Sequence, residues 1–243
     1  MEIKLIGTGS IGALQSSACA LINKEILIDM PNGSVKRIKQ LGENVLDIKV
    51  LIITHLHGDH FFDIPFFILE KYFNKSTEET IIYCPKGTLN KVKQLFELAF
   101  PGEYDKVMSS LNINFFEFDE LKNHEIINNI HLDSILVEHG DFNPAYGYII
   151  KQNEKVVGFS GDSKMCNAVE YIVKNSNVSI LDMSLAENGN ASHMGLNDIE
   201  KICNKYKEKI IISTHMHDYT RQIAKNKNIE NLIVPEDGQI INI

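Results

Sequence analysis

Apolar residues in the first part of the chain form short runs that are separated by turn residues. Segments 3–8 and 18–29 have the length and composition of β-strands, and the second turns back on itself at the tripeptide NKE. The continuous apolar run 49–54 is short enough for a buried strand and carries no helical periodicity. The N-terminal part of the chain therefore predicts a sheet.

Helical spacing of apolar residues first occurs at 33–42, a segment that ends on a glycine suited to a C-cap. Segment 63–73 predicts a second helix, with Pro65 near its first turn, where proline is tolerated. Further segments with a helical pattern are 87–100, 103–111, 166–175, 196–206 and 219–226. Helices are thus expected along the whole chain.

Strand patterns continue between these helices. They cover 80–85, 112–118, 130–139, 178–184 and 209–214, with a hairpin at 145–162 and two short strands in 231–243. Early strands meander and later ones alternate with helices, which indicates packed mixed sheets covered by helices. No linker rich in proline, glycine or serine divides the sequence, so we predict one domain over residues 1–243.

One short pattern occurs twice. VLIITHLHGD near the start and IISTHMHD at 211–218 both place Thr-His-x-His and an aspartate after an apolar strand. A duplicated half-domain would produce this repeat, and so would the general preference for polar residues at strand ends. We favour duplication slightly.

Charge and cysteine content limit the functional classes. The formal net charge is −8, which argues against a broad nucleic-acid surface, because such a surface needs clustered lysine and arginine. Four cysteines are far apart and form no C-x-x-C pair, so we predict free thiols in a reducing compartment. The first residues lack a secretory pattern and no apolar run approaches the length of a membrane span. We therefore expect a cytoplasmic protein without membrane contact.

The segment THLHGDH (54–60) concentrates metal-ligand side chains where a buried strand ends. His55 and His57 are two residues apart and point the same way on an extended chain. Asp59 and His60 follow a turn at Gly58 and can face a second point a few ångströms away. Imidazole and carboxylate are the usual ligands of zinc and related ions, so this segment offers two ligands to each of two cations. The alternative, a solvated or hydrogen-bonded cluster, would leave these groups without a compensating charge.

Three further candidate ligands follow apolar strands elsewhere in the chain: His139 in LVEHGD, Asp162 in VVGFSGDS and His215 in IIISTHMH. Polar residues at strand exits commonly collect at one edge of a sheet, where active sites form. Each alone would more often be an ordinary strand-end residue. Together they supply the ligands that a two-metal site still needs.

These motifs resemble the metallo-β-lactamase superfamily, and within it the ribonuclease Z-like branch of metal-dependent hydrolases. The resemblance covers nearly the whole chain and depends most on H-x-H-x-D-H in THLHGDH, supported by LIGTGS, ILIDMPNGS, ASHMGLNDI and ISTHMHDY. It implies an α/β fold, a four-layer αβ/βα sandwich of two mixed β-sheets flanked by helices. It also implies a dinuclear hydrolase, and we expect a phosphodiesterase that uses a metal-bridging hydroxide.

The resemblance further implies roles for individual residues. One cation, Zn²⁺ or alternatively Mn²⁺ or Fe²⁺, would bind His55, His57 and His139, and a second would bind Asp59, His60 and His215. Asp162 would bridge the two. Asp59 would also orient the attacking hydroxide, and His193 in ASHMG would protonate the leaving group. The carboxylate that assists His193 is left open between Asp182 and Glu187.

Substrate class is less well determined. Ribonuclease Z enzymes that process tRNA carry a long arm between the positions of His139 and Asp162, whereas here the predicted hairpin fills most of that interval. We therefore expect a small or short phosphodiester substrate, without the tRNA-binding arm, and a homodimer as a candidate assembly. Ser163, Tyr219 and Arg221 are candidate phosphate contacts, although a surface position is the more common role for such an arginine.

Alternative functions remain open at this stage. The same site would suit a thioester, a lactone or a sulfate ester, and the ligands could instead form a non-catalytic metal-binding module, although structural zinc usually has four protein ligands. A diiron redox protein is least favoured, since His57 stands where such a protein needs a carboxylate. No substrate-binding residue is assigned.

Overall fold

The first sheet of the protein contains seven strands. The structure is a computed structural model and describes all 243 residues. They are β1 (Glu2–Gly7), β2 (Cys19–Ile22), β3 (Ile26–Ile28), β4 (Val50–Ile52), β5 (Thr80–Pro85), β6 (Ile113–Phe118) and, last in the chain, β14 (Ile240–Asn242), in the order β14-β1-β2-β3-β4-β5-β6. Strands β14 to β3 pair antiparallel and β3 to β6 pair parallel.

The second sheet repeats this topology. Its strands are β7 (His124–Ile127), β8 (Ile130–Leu136), β9 (Tyr146–Gln152), β10 (Lys155–Phe159), β11 (Val178–Asp182), β12 (Ile210–Thr214) and β13 (Leu232–Ile233), in the order β13-β12-β11-β10-β9-β8-β7. Strands β7 to β10 pair antiparallel and β10 to β13 pair parallel. Both sheets are therefore mixed.

Helices cover the outer faces of both sheets. The elements before the second sheet are α1 (Ser34–Gln40), a 3-10 turn (Val45–Asp47), α2 (Gly58–Phe61), α3 (Ile64–Phe73), α4 (Thr88–Ala99) and α5 (Tyr104–Met108). Those that follow are α6 (Asn167–Lys174), α7 (Leu196–Lys205) and α8 (Asp218–Lys227). None of these helices has both the length and the apolar character needed to cross a bilayer.

The cores explain why the layers hold together. One apolar cluster contains side chains of both sheets, among them Ile22, Ile52, Tyr148 and Ile212, and lies between them. A second cluster joins the outer face of the first sheet to α1, α3, α4 and α5, and a third joins the second sheet to α6, α7 and α8. Burying apolar faces on both sides of each sheet produces the four-layer αβ/βα sandwich, so the predicted fold class is confirmed.

Two differences from the sequence expectations have physical reasons. Strand β7 was not predicted, because its four residues include the polar His124 and Glu125. It forms by pairing with β8 across a turn in which Asn128 and Asn129 adopt positive φ.

The repeated Thr-His-x-His pattern lies after β4 and after β12. When the two sheets are superposed by strand order, β4 corresponds to β11 and β12 to β5. The halves thus share a topology, but the repeated motif does not occupy equivalent strands.

Lys71 on α3 is completely buried. Its ammonium group donates hydrogen bonds to the carbonyl oxygens of Ile48 at 2.9 Å and Leu46 at 3.3 Å. Burial lowers the pKa of Lys71 to about 8. An unfolded lysine titrates near 10.4, so the unfolded state binds more protons between these pH values and stability must rise with pH there.

Replacing Lys71 by methionine is therefore expected to flatten the pH dependence of stability. Between roughly pH 8 and 10, the native protein should gain about 1.4 kcal/mol in free energy of unfolding, relative to Lys71→Met, for each unit by which the pH increases. Urea titrations at several pH values measure this difference. Lys91→Met on exposed α4 is the control, and equal pH slopes in both variants would contradict the assignment.

Candidate metal centre

The segment after β4 presents four side chains of ligand type within six residues. His55 and His57 lie on extended chain, with His57 as the N-cap of α2, and Asp59 and His60 lie within α2. Gly58 begins this helix with an ordinary φ. A Cβ there would lie 2.8 Å from the ring of Phe62, an exposed side chain that could move aside, so the expected sharp turn that only glycine allows is not found here.

Three imidazole nitrogens converge on one side of this segment. His57 Nδ1 lies 3.0 Å from His55 Nε2 and 3.1 Å from His139 Nε2. The other nitrogens of the outer two rings are engaged elsewhere, since His55 Nδ1 faces the Thr54 hydroxyl at 3.0 Å and His139 Nδ1 faces the Ser192 carbonyl at 2.8 Å. Nitrogens bound to one zinc at about 2.0–2.1 Å are about 3.3 Å apart in a tetrahedron, so this set fits a divalent cation.

A second set lies beside the first. Asp59 Oδ2 is 3.4 Å from His215 Nε2 and 3.8 Å from His60 Nε2. The far nitrogens are again held, because His60 Nδ1 contacts Asp29 Oδ2 and His215 Nδ1 contacts the Ser184 hydroxyl, each at 2.8 Å. His60 Nε2 is buried and makes no hydrogen bond, although Asp162 Oδ2 lies 3.2 Å from it. A buried imidazole nitrogen without a partner is costly, and a cation at this point would satisfy it.

Asp162 connects the two sets. Its Oδ2 atom lies 3.2 Å from His60 Nε2, 3.3 Å from His215 Nε2 and 3.8 Å from His55 Nε2. The carboxylate is buried and projects from the loop that follows β10. The structure thus brings together all seven residues that the sequence analysis predicted as ligands, from the four segments that follow β4, β8, β10 and β12.

The electrostatics of the cluster suit cation binding. Burial lowers the pKa of His55 well below its usual value, so this ring is neutral and has a lone pair to donate. Burial alone would raise the pKa of Asp162, but the charges that His215 and His60 carry when protonated hold it well below the usual range, and a bound cation would take the place of those protons. A neutral imidazole and an ionised carboxylate are the forms that bind metal.

His193 lies at the mouth of this cluster. Its ring stacks on that of His215, with centroids 5.2 Å apart, and its Nδ1 atom lies 2.8 Å from Asp182 Oδ2. Burial lowers the pKa of His193, but the hydrogen bond and charge of Asp182 outweigh this and raise it. The choice left open by the sequence between Asp182 and Glu187 is thus answered geometrically, since Asp182 is the carboxylate in contact.

Comparison with known proteins identifies the family. A family model described as "Anti-Pycsar protein Apyc1" matches residues 1–238. The chain belongs to this family.

Other relatives place this Apyc1-family chain in a wider group. Ribonuclease Z of Picrophilus torridus is 28% identical over 160 residues, which are 63% of this chain and 48% of that protein. The chain spans 34% to 49% of the length of the curated ribonuclease Z proteins that it matches. These matches confirm the resemblance to the ribonuclease Z-like branch.

Solved structures confirm the fold. The short form of human tRNase Z superposes with a TM-score of 0.77 at 17% identity, covering 100% of this chain and 99% of that one. The metallo-β-lactamase fold protein YhfI from Bacillus subtilis superposes with a TM-score of 0.76 at 14% identity, covering 99% and 98%. The Apyc1-family chain therefore has the metallo-β-lactamase fold.

Residues that support the candidate ligands were mostly missed by the sequence analysis. Asp29 accepts hydrogen bonds from the Thr54 amide and hydroxyl, each at 2.8 Å, as well as contacting His60. Ser184 donates to Asp182 at 2.7 Å and faces His215. Asp29 gave one usable signal: it follows an apolar strand, as the predicted ligands do.

Arg221 proved to be neither a phosphate contact nor a surface arginine. Its side chain is buried and donates hydrogen bonds to the Thr8 hydroxyl and to the carbonyl oxygens of Thr8 and Pro235. Ser163 contacts only protein groups, donating its amide to Asp182 at 3.1 Å. Tyr219 is exposed at the start of α8. Arg221 therefore fastens α8 to the loop after β1.

Replacing Asp29 by asparagine is expected to weaken binding of one cation without removing a ligand. The amide would lose part of the hydrogen bonding that orients His60, and such changes typically cost 10- to 100-fold in metal affinity. Competition with a chromogenic chelator measures the affinity of each cation. Urea unfolding of the metal-free variant separates a loss of fold from a loss of affinity, and an unchanged competition curve would contradict the role.

Proposed function

We propose that this chain is a hydrolase that binds two zinc or related divalent cations and cleaves a small phosphodiester. The observation that carries this proposal is the position of Asp162, whose single Oδ2 atom lies within 3.8 Å of histidines from both sets. A structural zinc site needs four ligands, and seven converging ligands favour a pair of ions with open positions. The names ribonuclease Z and tRNase Z of the relatives support phosphodiester chemistry.

The mechanism divides the work between cations and side chains. When bound, two divalent cations acidify water and offset negative charge on the phosphate. His55, His57 and His139 would hold one cation, and Asp59, His60 and His215 the other, with Asp162 shared. Asp59, which is buried beside His60 and His215, would also orient the attacking water.

His193 completes the reaction by delivering a proton. Its Nδ1–H is fixed on Asp182, so Nε2 is the atom free to face the substrate. A protonated imidazole there would transfer its Nε2 proton to the departing alkoxide. Asp182 is fully buried and receives three further protein donors, from Ser163 and Ser184, which hold it in place.

The surface around the site favours a small substrate. Strands β9 and β10 are joined directly by a two-residue turn at 153–154, so no arm projects there. A groove at the same end of the sheets is lined by Asp119, Glu120 and Asp133, and these carboxylates pair with Lys86, Lys122 and Lys151 respectively. The groove therefore offers no run of unpaired lysine and arginine side chains for the phosphates of a polynucleotide. A substrate with one phosphate, such as a 3′,5′-cyclic mononucleotide, needs no such surface.

The family description supplies a biological setting. Its model is named for an anti-Pycsar protein, and we extend activity against Pycsar to this chain as part of the proposal. Cells that carry an active Pycsar system should lose the activity of that system when the native chain is expressed. They should keep it with a variant that lacks the Asp162 carboxylate.

The enzymatic test is a substrate panel on metal-loaded protein. Bis-p-nitrophenyl phosphate, 3′,5′-cyclic mononucleotides, a tRNA precursor, a thioester, a lactone and a sulfate ester are assayed with Zn²⁺ or Mn²⁺, and bound metal is counted by mass spectrometry. Two metals per chain with turnover of the small phosphodiesters would support the proposal. Turnover confined to another ester, or none with metal bound, would overturn it.

An exposed apolar stripe supports a homodimer as part of the same proposal. Phe62, Phe66, Leu69 and Phe73 follow helical spacing along the outer side of α2 and α3, and Phe73 is 72% exposed. Leu98 of α4 is 82% exposed, and the ring of Phe66 already pairs with the neighbouring Phe100. Contiguous exposed apolar surface of this kind is typical of an interface. Light scattering of the native protein and of Phe66→Glu tests it, and identical monomer masses would refute it.

A further inference from the structure

Ser184, in the segment that follows β11, is buried between the candidate proton donor and the second ligand set. Its Oγ atom lies 2.8 Å from His215 Nδ1 and 3.3 Å from His193 Nδ1. The same atom lies 2.7 Å from Asp182 Oδ1 and 2.9 Å from the carbonyl oxygen of His215. One hydroxyl group is therefore in contact with a candidate metal ligand, with the proton donor and with the carboxylate that orients this donor.

The direction of these hydrogen bonds follows from counting protons. A serine hydroxyl has one proton to donate and two lone pairs that accept. If Ser184 gave its proton to an imidazole nitrogen, its Oγ atom would face two oxygens, at 2.7 Å and 2.9 Å, without any proton between them. The proton is therefore donated to an oxygen, and Asp182 Oδ1 is both the nearer one and, as a carboxylate oxygen, the stronger acceptor.

Both imidazoles must then act as donors to Ser184. Its lone pairs accept the Nδ1–H of His215 at 2.8 Å and, more weakly, the Nδ1–H of His193 at 3.3 Å. With the proton of His215 held on Nδ1, Nε2 is the nitrogen whose lone pair is available to a cation. That Nε2 atom lies 3.4 Å from Asp59 Oδ2, within the second ligand set.

Asp182 has no spare acceptor position that would allow a different arrangement. Its Oδ1 atom accepts from the amide and the hydroxyl of Ser184, and its Oδ2 atom accepts from His193 Nδ1 and from the Ser163 amide. Four donors match the capacity of one carboxylate. The rings of His193 and His215 lie nearly parallel, at 10°, as expected when both turn Nδ1 toward the same hydroxyl.

The backbone holds Ser184 in place from two sides. Its carbonyl oxygen accepts a hydrogen bond from the Thr220 hydroxyl of α8 at 2.7 Å. The amide of the next residue, Leu185, donates to the Met194 carbonyl at 3.3 Å, beside His193. The hydroxyl is thus positioned before any cation binds, so binding would not have to bear the entropic cost of ordering it.

We propose that Ser184 is a positioning residue that fixes the tautomers of two histidines at once, so that His215 presents Nε2 to a cation and His193 presents Nε2 to the leaving group. The hydrogen bond at one imidazole nitrogen determines which nitrogen is free to bind. Asp182 acts on His193 directly and on His215 only through the Ser184 hydroxyl. The inference rests on the proposed function and adds to it a physical link between cation binding and proton delivery.

The first test removes the hydroxyl. Ser184→Ala should lower the affinity for one of the two cations by about 10- to 100-fold in competition with a chromogenic chelator, because His215 Nδ1 loses its acceptor. At saturating metal, kcat for a 3′,5′-cyclic mononucleotide should fall about tenfold relative to bis-p-nitrophenyl phosphate, since only the alkoxide needs the proton of His193. Ser184→Thr keeps the hydroxyl and should restore both values.

Ser213→Ala is the matched control. It also removes a buried hydroxyl, and this one contacts only the Met216 sulfur at 3.4 Å and the Ile233 carbonyl at 3.2 Å. Native cation affinity and a native leaving-group ratio in Ser184→Ala would overturn the inference, as would a Ser184→Thr protein that behaves like Ser184→Ala. Equal losses with both substrates at native cation affinity would overturn it as well.

A second test needs neither a variant nor turnover, and decides the matter if Ser184→Ala does not fold. In zinc-loaded native protein that carries ¹⁵N-labelled histidine, nuclear magnetic resonance should show a proton on His215 Nδ1 and metal bound at Nε2. A His215 without a proton on Nδ1 would overturn the inference. Absence of turnover by the native protein refutes the proposed function, whereas chelator competition and the histidine spectra still decide the role of Ser184.

Discussion

Replacing Asp162 by alanine is expected to abolish phosphodiester hydrolysis and to remove at least one of the two cations. Asp162 Oδ2 lies 3.2 Å from His60 Nε2, 3.3 Å from His215 Nε2 and 3.8 Å from His55 Nε2. Without the carboxylate, imidazoles would face each other across a buried space with no shared anion to hold two positive ions together. We expect kcat/KM to fall by at least about a thousandfold, corresponding to the several kcal/mol that Lewis-acid stabilisation supplies.

Metal counting and kinetics on the same samples measure this effect. Asp141→Ala is the matched control, because it removes an exposed carboxylate two residues from His139 and makes no side-chain hydrogen bond. Thermal unfolding of both metal-free variants shows whether the fold survives. An Asp162→Ala protein that retains two cations and more than a tenth of the native activity would exclude Asp162 as the shared ligand.

The local part of this site could be predicted because short-range geometry determines it. Four ligand-type residues between His55 and His60 follow a buried strand. The chain is extended at His55 and His57 and helical at Asp59 and His60, so the two pairs of side chains face two different points. His139, Asp162 and His215 were predicted from the same strand-exit pattern together with the family resemblance. The structure brings all of them together, because β4 of the first sheet and β8, β10 and β12 of the second sheet end at the same side of the sandwich.

The supporting residues could not be predicted, because they depend on contacts between segments distant in sequence. Asp29 meets His60 only because β3 and β4 are parallel neighbours in the first sheet. Asp182 could be proposed for His193 but not separated from Glu187 until the chain after β11 was placed. The sequence around Arg221 gave no sign that this side chain is buried. One of its partners, Thr8, lies near the N-terminus, and the other, Pro235, follows α8. Sequence pattern thus indicates ligand types, whereas tertiary contacts orient them.

Replacing His193 by glutamine is expected to slow hydrolysis according to the leaving group. A protonated imidazole accelerates departure of an alkoxide, which needs a proton, and such general acids typically contribute about 10²- to 10⁴-fold. We therefore expect a loss of that size with a cyclic mononucleotide, whose leaving group is a sugar alkoxide. The loss should be much smaller with bis-p-nitrophenyl phosphate, because p-nitrophenolate departs without protonation.

Asp182→Asn separates orientation of this acid from its chemistry. The asparagine keeps the size of the side chain but removes the charge that faces His193 Nδ1 at 2.8 Å. It should therefore reproduce part of the selective loss while leaving the acid present. Metal counting is needed in both variants, because Asp182 also contacts Ser184, which faces the His215 ring. Equal losses with the two leaving groups at full metal occupancy would show that His193 binds substrate and transfers no proton, since only proton transfer distinguishes an alkoxide from a phenolate.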